Sequence, residues 1–273
     1  MDNSRDKDIK TQVQSDSVAH LKLELQTDSA YFNYHKSSIL QGIIMQEIHP
    51  DYATQLHEQG LKPYSQYLRQ EGGVIIWHVK TLTEEATNQI MPALMKDSFR
   101  EFYIEHDDQK VLVGKKTFVK EYIGAFMEEF YEMQADRFIR LEFITPTAFK
   151  KNGKYSFFPE LYNIYYSCMR KFDAASAEET MFSEETLEQL VEASEITAYS
   201  LRSVKFSVEG VKIPAFVGRI TICIHGNHTL RSFARLLLRF GEYSGIGIKT
   251  AMGMGAVQIA ENKEEQPGDR KRI

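Results

Sequence analysis

The first half of the chain alternates between strand-like and helix-like hydrophobic patterns. Residues 19–25 place alanine or leucine at every second position, which predicts a strand with one buried face. Residues 36–48 repeat apolar side chains at helical spacing, and Pro50 ends that helix. The predicted elements that follow are a short helix at 51–58, a hairpin of strands at 63–70 and 74–82, a helix from Thr83 to about Lys96, and strands at 99–106 and 110–119. The order βαββαβ is typical of ferredoxin-like domains.

The third helix has a predicted start and a predicted irregularity. Thr83 is a suitable N-cap, because Glu84 and Glu85 follow it in the first turn. Pro92 lacks an amide hydrogen, so it is expected to kink or interrupt the helix.

The second half of the chain repeats this order after a predicted bridging helix at 120–133. Its predicted elements are a strand over 137–144, helices at 159–172 and 184–194, strands at 197–208 and 211–225, a helix at 228–240, a glycine-rich loop and a last strand at 254–260. We therefore predict an α+β fold of tandem ferredoxin-like (RNA-recognition-type) domains, 17–133 and 134–260, each an antiparallel sheet with helices on one face. The polar ends, 1–16 and 261–273, are predicted to be disordered tails.

Composition narrows the class of protein. The chain is 42% hydrophobic, which is sufficient for real cores, and it has neither a membrane-length apolar run nor a hydrophobic signal segment at its start. Its two cysteines, Cys168 and Cys223, are not in a CxxC motif. Two isolated thiols favour a reducing cytoplasm over a disulfide framework or a zinc ribbon. We predict a cytoplasmic protein without a metal ion, a cofactor or a membrane partner.

Charge is distributed unevenly along the C-terminal half. The chain has a net charge of −5, and residues 178–195 hold seven glutamates and no lysine or arginine. Residues 196–260 hold eight lysines and arginines against two glutamates. This local excess of positive charge indicates a polyanionic partner on one surface.

The glycine-rich segment 241–255 is the most informative stretch, with five glycines among fifteen residues. Glycine allows positive φ and close approach of a ligand to the backbone, and successive free amides form an anion site. Within this segment we predict RNA-phosphate binding by the residues Gly245, Gly247, Lys249, Thr250, Gly253 and Gly255. A P-loop or a dinucleotide fingerprint is excluded, because each follows a strand and opens a helix, whereas this loop follows a helix and leads into a strand.

Three arginines precede the loop on one predicted helix face. Arg231, Arg235 and Arg239 recur at every fourth position. They are candidates for salt-dependent contacts with RNA phosphates. A solvated face of an amphipathic helix is the alternative interpretation.

Three stretches together resemble one known family. The spacing Gly245-x-Gly247-x5-Gly253-x-Gly255, between an arginine-bearing helix and a terminal strand, resembles the C-terminal signature of the CRISPR-associated repeat-processing endoribonucleases of the repeat-associated (RAMP) superfamily. Residues 40–44 with 56–65 resemble the family's first helix and the turn after it, and residues 143–147 resemble the start of its second domain. The resemblance spans roughly residues 18–260.

The resemblance implies an enzyme that cuts CRISPR precursor RNA once per repeat without metal. The products carry 2′,3′-cyclic phosphate and 5′-hydroxyl ends and become guide RNAs for interference complexes. His57 aligns with the family's catalytic histidine, whose ordinary pKa suits a general base, and Lys62 aligns with its lysine, suited to stabilising phosphorane charge.

One position departs from the family pattern. Met45 occupies the place where many members have a catalytic tyrosine, and methionine cannot transfer a proton. The acid for the leaving oxygen is left open among Tyr31, Tyr34, His35, Lys62 and solvent. The main alternative function is therefore a catalytically inactive RNA-binding subunit of the same superfamily. The expected partners are the CRISPR repeat RNA and an interference complex, and homodimer formation is left open.

Overall fold

The computed structural model describes residues 17–28, 32–58, 60–124, 136–176, 180–208 and 210–260. Two antiparallel sheets organise these residues, one on each side of the gap at 125–135. The predicted domain boundary near 133 falls in that gap, and the predicted tails also lie outside the described residues.

The N-terminal half forms a five-stranded sheet with three helices. Its elements are β1 (Ser17–Gln26), α1 (Ser37–Glu47), α2 (Pro50–Glu58), β2 (Tyr64–Glu71), β3 (Val74–Thr81), α3 (Glu84–Met95), β4 (Glu101–Ile104) and β5 (Gln109–Tyr122). The strand order is β2-β3-β1-β5-β4. The alternation predicted for β1 places Leu21, Leu23 and Leu25 in a core shared with the three helices. The opposite face of this sheet carries polar side chains that meet the C-terminal half.

The C-terminal half forms a four-stranded sheet. Its elements are β6 (Phe138–Thr147), α4 (Leu161–Ala175), α5 (Glu184–Glu192), β9 (Ser194–Val208), β10 (Val211–Ile224), α6 (His228–Ser244) and β11 (Val257–Ile259). A short hairpin of β7 (Phe149–Lys151) and β8 (Lys154–Ser156) separates β6 from α4. The strand order β11-β6-β10-β9 is the ferredoxin-like arrangement. The predicted tandem ferredoxin-like fold is therefore confirmed.

Several details differ from the predictions. Residues 120–122, assigned to a bridging helix, continue strand β5, and most of the remaining span lies outside the described residues. Helix α3 runs through Pro92 without a break, although Thr83 caps it as predicted by accepting the Ala86 amide. The last strand is shorter than predicted, because residues 254–256 belong to the loop.

The two halves share a buried apolar cluster built around α6. Leu236, Phe240 and Tyr243 of α6 pack with Val18 and Leu82 of the N-terminal half. Burial of this cluster fixes the C-terminus of α6, and the glycine-rich loop that follows it, against the N-terminal sheet.

Candidate functional site

The C-terminal end of α2 holds the two candidate catalytic residues. His57 lies in the last turn of α2, and its side chain is exposed. Lys62 follows in the turn before β2 and is half-buried, and its Nζ donates to the carbonyl oxygens of Leu56 and His57. Burial lowers the pKa of Lys62 from its ordinary value. A cation at a helix C-terminus is stabilised by the helix dipole, so the turn draws the Lys62 ammonium to the backbone of His57.

The nearest proton donors in sequence lie at the start of α1. Tyr34 and His35 form a short 3-10 turn, their rings 4.3 Å apart, and the His35 ring also lies 6.3 Å from that of Phe206 in the C-terminal half. Burial lowers the pKa of His35. Met45 packs against the N-terminal core, as its apolar side chain requires. Tyr31, the remaining tyrosine considered, lies outside the described residues.

The glycine-rich loop is packed rather than open. A Cβ built on Gly247 would lie 2.3 Å from the Ala148 carbonyl oxygen, and one on Gly253 would lie 2.1 Å from the Ser37 Cβ. Both glycines also have positive φ, 87° and 101°. These positions therefore require glycine because neighbouring protein atoms occupy the space of a side chain.

The amides of the loop are largely bonded within the protein. Gly247 N donates to Ser167 Oγ at 2.9 Å, and Gly255 N donates to the Pro146 carbonyl oxygen at 3.0 Å. Gly253 N donates to the Thr250 carbonyl oxygen at 3.4 Å. Four further amides of the loop donate hydrogen bonds to backbone carbonyl oxygens of the protein: those of Ile246, Ile248, Met252 and Met254. The expectation that these three glycines present bare amides is wrong, because the loop's own fold uses them.

The exposed part of the loop is Lys249. It adopts a left-handed conformation, φ 55°, directly before the 3-10 turn Thr250–Met252. Thr250, predicted as a hydroxyl donor, is only 8% exposed, and its Oγ1 lies 3.4 Å from Lys171 Nζ. Lys249 therefore remains the clearest candidate in the loop for a direct phosphate contact.

A buried glutamine joins the loop to the domain that carries His57. Gln66 Nε2 donates to the Ala251 carbonyl oxygen at 3.1 Å and to the Ser37 carbonyl oxygen at 2.5 Å. Its Oε1 accepts from Trp77 Nε1 at 2.9 Å. Gln66 is four residues from Lys62, a chain distance of at most about 14 Å. Gln66 therefore links the loop to β2, the strand that begins two residues after Lys62.

A cationic cavity of about 1060 Å³ lies between the two halves. Five arginines line it: Arg69, Arg140, Arg219, Arg235 and Arg239. Among the described residues, no carboxylate pairs with Arg140, Arg219 or Arg235, whereas Arg239 bonds Glu121 and Glu242 at 3.2 and 2.9 Å. Unpaired guanidinium groups in a cleft are suited to a polyanionic ligand.

The structure divides the predicted arginine stripe. Arg235 and Arg239 line the cavity. Arg231 instead donates through Nε to the Gly226 carbonyl oxygen at 3.1 Å, near the start of α6. Sequence reasoning missed Arg69 and Arg140, and it counted Arg219 only as part of the positive excess over residues 196–260. In β6, Arg140 alternates with buried Ile139 and Leu141, a pattern that predicts a polar face but not the partner of that face.

Two neutral imidazoles lie beneath a smaller cavity of about 190 Å³ that shares Arg69 and Arg239 with the first. His20 Nε2 and His78 Nδ1 are 3.0 Å apart, so one donates and the other accepts. Burial, reinforced for His20 by Lys80 and for His78 by His20, lowers their pKa values to about 3 and about 2. Tyr67 stacks on His78 with ring centroids 4.3 Å apart. This polar layer lies under the C-terminus of α6.

One cluster in the described residues has side chains of metal-ligand type. Potential ligand atoms of Glu195, Cys223 and His225 lie within 4.8 Å of one another. His225 is already engaged at both ring nitrogens, by Glu195 Oε1 at 2.7 Å and by Arg137 Nη2 at 2.5 Å. A hydrogen-bonded network that includes a guanidinium accounts for this cluster without a metal ion.

Comparison with known sequences relates the chain to one family. The family described as CRISPR-associated endoribonuclease Cas6 matches residues 141–257. A Cas6 of Streptococcus thermophilus is 33% identical over 225 residues, which cover 82% of this chain and 90% of that protein. A Cas6 of Mycobacterium tuberculosis is 31% identical over 250 residues, which cover 90% of this chain and 79% of that protein.

The tandem ferredoxin-like fold and these relatives place the chain in the class of CRISPR-associated endoribonucleases. The chain belongs to the Cas6 family. Solved structures agree on the fold: a Cas6 product complex has a TM-score of 0.74 at 20% identity, covering 90% of this chain and 100% of that chain. Thermus thermophilus Cas6 has a TM-score of 0.69 at 19% identity, covering 90% and 99%. Among the described residues, no helix has the length and apolar character needed to cross a bilayer.

Proposed function

We propose that this protein cleaves CRISPR precursor RNA within its repeats and so produces guide RNAs. The observation that carries the proposal is the end of α2, where an exposed imidazole and a lysine flank one turn. This turn lies in a chain about one third identical to named Cas6 endoribonucleases over most of its length.

The proposed reaction is metal-independent transfer of the phosphodiester to the adjacent 2′-hydroxyl. His57 takes the 2′-hydroxyl proton as that oxygen bonds to phosphorus. Lys62 leaves the α2 carbonyl oxygens to stabilise charge on the phosphorane. The bond from phosphorus to the 5′-oxygen then breaks, and the 5′-oxygen gains a proton. The products carry a 2′,3′-cyclic phosphate and a 5′-hydroxyl.

The proton for the 5′-oxygen has more than one candidate source. Tyr34 and His35 lie at the interface with the C-terminal half, and burial, which lowers the pKa of His35, keeps its imidazole neutral near neutral pH. A neutral imidazole is a weak acid, whereas the Lys62 ammonium, whose pKa is also lowered by burial, is a better one. The proposal therefore favours Lys62 over His35 as the acid, with Tyr34 and solvent as the other candidates.

RNA binding is proposed to involve the cationic cavity and the exposed face of the glycine-rich loop. Arg140, Arg219 and Arg235 offer guanidinium groups without carboxylate partners among the described residues, and Lys249 extends the positive surface to the loop. The residues Gly245, Gly247, Gly253, Gly255 and Thr250 are proposed to contribute by shaping the loop. Arg231 and Arg239, each bonded within the protein, are proposed to contribute less.

An inactive RNA-binding subunit is the second candidate function. The observation that favours it is Met45, an apolar side chain packed against the core where many family members have a tyrosine. Binding of repeat RNA without cleavage would identify this function.

The test is incubation of the full chain with end-labelled repeat RNA in EDTA. We expect cleavage at one position per repeat, and no cleavage when the nucleotide before that position is 2′-deoxy. The 5′ fragment should resist direct 3′-end ligation until its cyclic phosphate is removed. Cleavage only after addition of a divalent metal, or cleavage of the 2′-deoxy substrate, would contradict the mechanism.

A further inference from the structure

The C-terminus of α6 is buried, and its last carbonyl oxygens are bonded by side chains from both halves. A helix leaves its final four carbonyl groups without partners inside the helix. Lys80 Nζ donates to the Glu242 carbonyl oxygen at 2.5 Å, and Ser65 Oγ donates to that of Tyr243. Lys171 Nζ donates to the carbonyl oxygens of Ser244 and Gly245 at 3.3 and 3.0 Å.

Lys171 also reaches the far side of the glycine-rich loop. Its Nζ lies 3.4 Å from Thr250 Oγ1, so one ammonium joins the start of the loop to the 3-10 turn inside it. The start of the loop and its 3-10 turn lie close together, since a Cβ on Gly245 would lie 2.7 Å from the Thr250 Cγ2. Lys249, the exposed residue of the loop, comes directly before Thr250.

The ammonium of Lys171 is fully satisfied where it lies. An ammonium has three donors, and Lys171 has three acceptors. Its side chain is only 7% exposed, and no described carboxylate lies within ion-pair distance. Burial lowers the pKa of Lys171 to about 7, so the ammonium with its three donors predominates below that pH. Because a buried cation is unfavourable unless its hydrogen bonds are made, this arrangement depends on the loop holding its present conformation.

We propose that Lys171 is a positioning residue that closes the glycine-rich loop and thereby directs Lys249 toward RNA. The proposal rests on the proposed function, because it assumes that the loop contacts repeat RNA. The closed loop contacts the N-terminal half at two points. Gly253 packs closely against Ser37, and the Ala251 carbonyl oxygen accepts a hydrogen bond from Gln66. Lys171 therefore acts on RNA affinity through the loop and makes no contact with the reacting phosphate.

The first test separates affinity from chemistry in the Lys171→Met variant. Methionine matches the apolar stem of lysine as far as Cε but removes the ammonium and its three donors. We expect the dissociation constant for repeat RNA to rise at least tenfold, while the single-turnover cleavage rate at saturating RNA changes less than threefold. Arg170→Met is the matched control, because it removes an exposed cation from the neighbouring position of α4. An equal rise in both variants would mean loss of charge alone and would overturn the proposal.

The second test does not depend on RNA. Hydrogen exchange on the full chain should show faster exchange at the amides of Met252 and Gly253 in Lys171→Met, with the amide of Ile222 in the core of β10 unchanged. Thr250→Val, which removes one acceptor, should show the same change to a smaller degree. Unchanged exchange in the loop would overturn the closing role even if RNA binding fell.

The two tests distinguish the two possible failures. If wild-type protein neither binds nor cleaves repeat RNA, the proposed function fails, and with it the role of Lys171 toward RNA. The exchange result then still decides whether Lys171 closes the loop. Faster exchange at Ile222 as well would indicate general destabilisation and would count against a local role.

Discussion

The end of α2 and the glycine-rich loop both carry residues that the sequence assigns to function, but they are built in opposite ways. His57 is exposed and needs only a helix end to hold it. The loop is largely buried apart from Lys249, and the amides of Gly247, Gly253 and Gly255 are bonded within the protein. An exposed residue can be replaced without damage to the fold, whereas each of these glycines is required by its neighbours. A sequence signature can therefore mark either chemistry or packing.

The largest expected effect comes from removing the imidazole. His57→Ala should lower the cleavage rate by at least about 100-fold, because positioned acid–base groups contribute ~10²–10⁴-fold. RNA affinity should stay close to wild type, since the exposed side chain supports no packing. Single-turnover cleavage and filter binding of the same RNA measure the two quantities. Glu58→Ala, one residue further along, is the control, and a fully active His57→Ala would remove His57 from the mechanism.

Substitution of the loop glycines should lower the stability of the folded protein. Gly247→Ala and Gly253→Ala should each lower the free energy of unfolding by about 2–4 kcal/mol, because a Cβ at positive φ also meets packed atoms. Gly42→Ala is the matched control: it lies inside α1 with no atom within 4 Å of the added carbon. It should raise stability by about 0.5–1 kcal/mol. Unchanged denaturation midpoints for both loop variants would show that the loop is not locked.

The polar layer under α6 predicts a pH dependence of stability. His20 and His78, whose pKa values are lowered to about 3 and about 2, stay neutral in the folded protein as pH falls below 6.5, whereas unfolded imidazoles bind protons. The unfolded state then binds more protons, so stability decreases with falling pH, by up to ~1.4 kcal/mol per pH unit for each histidine. Urea unfolding between pH 6.5 and 5 measures this slope. The double variant His20→Gln/His78→Gln should flatten it, and an unchanged slope would be contrary to the buried neutral pair.

The smallest expected effect concerns the cavity. Arg140→Gln/Arg219→Gln should weaken RNA binding by about tenfold and lower the slope of affinity against salt by about 0.7 for each phosphate of single-stranded RNA that is no longer neutralised. Lys110→Gln is the control, because it removes an exposed lysine of β5 that pairs with Glu101 of β4. Binding measured from low to moderate salt gives both quantities. Identical slopes for the double variant and wild type would exclude these arginines from the RNA interface.

Local patterns predicted the elements well. The alternation in β1 and the cap at Thr83 are decided by residues close in sequence, and both are confirmed. The continuation of β5 through residues 120–122 was missed, because pairing with β1 overrides the local pattern there. The short hairpin of β7 and β8 was also missed.

The candidate site was less predictable, because much of it depends on contacts between the halves. Nothing in the neighbourhood of Lys171 or Gln66 in sequence indicates that either side chain is buried against the loop, 74 and 185 residues away. The cavity joins Arg69 to Arg140 and Arg219 across two sheets. Glycine spacing located the loop, but it did not distinguish free amides from bonded ones, since both require a backbone without side chains.

Gln66 has a consequence for exchanging parts between relatives. Its amide bonds Ser37, Trp77 and Ala251 at once, so strand β2, helix α1 and the loop share one buried contact. A chimaera that takes residues 138–260 from another member would place a loop shaped for a different partner against this amide. The Gln66 N–H donor would then be buried without an acceptor, which is unfavourable. Grafts that carry the loop together with its N-terminal contacts are therefore the ones expected to assemble.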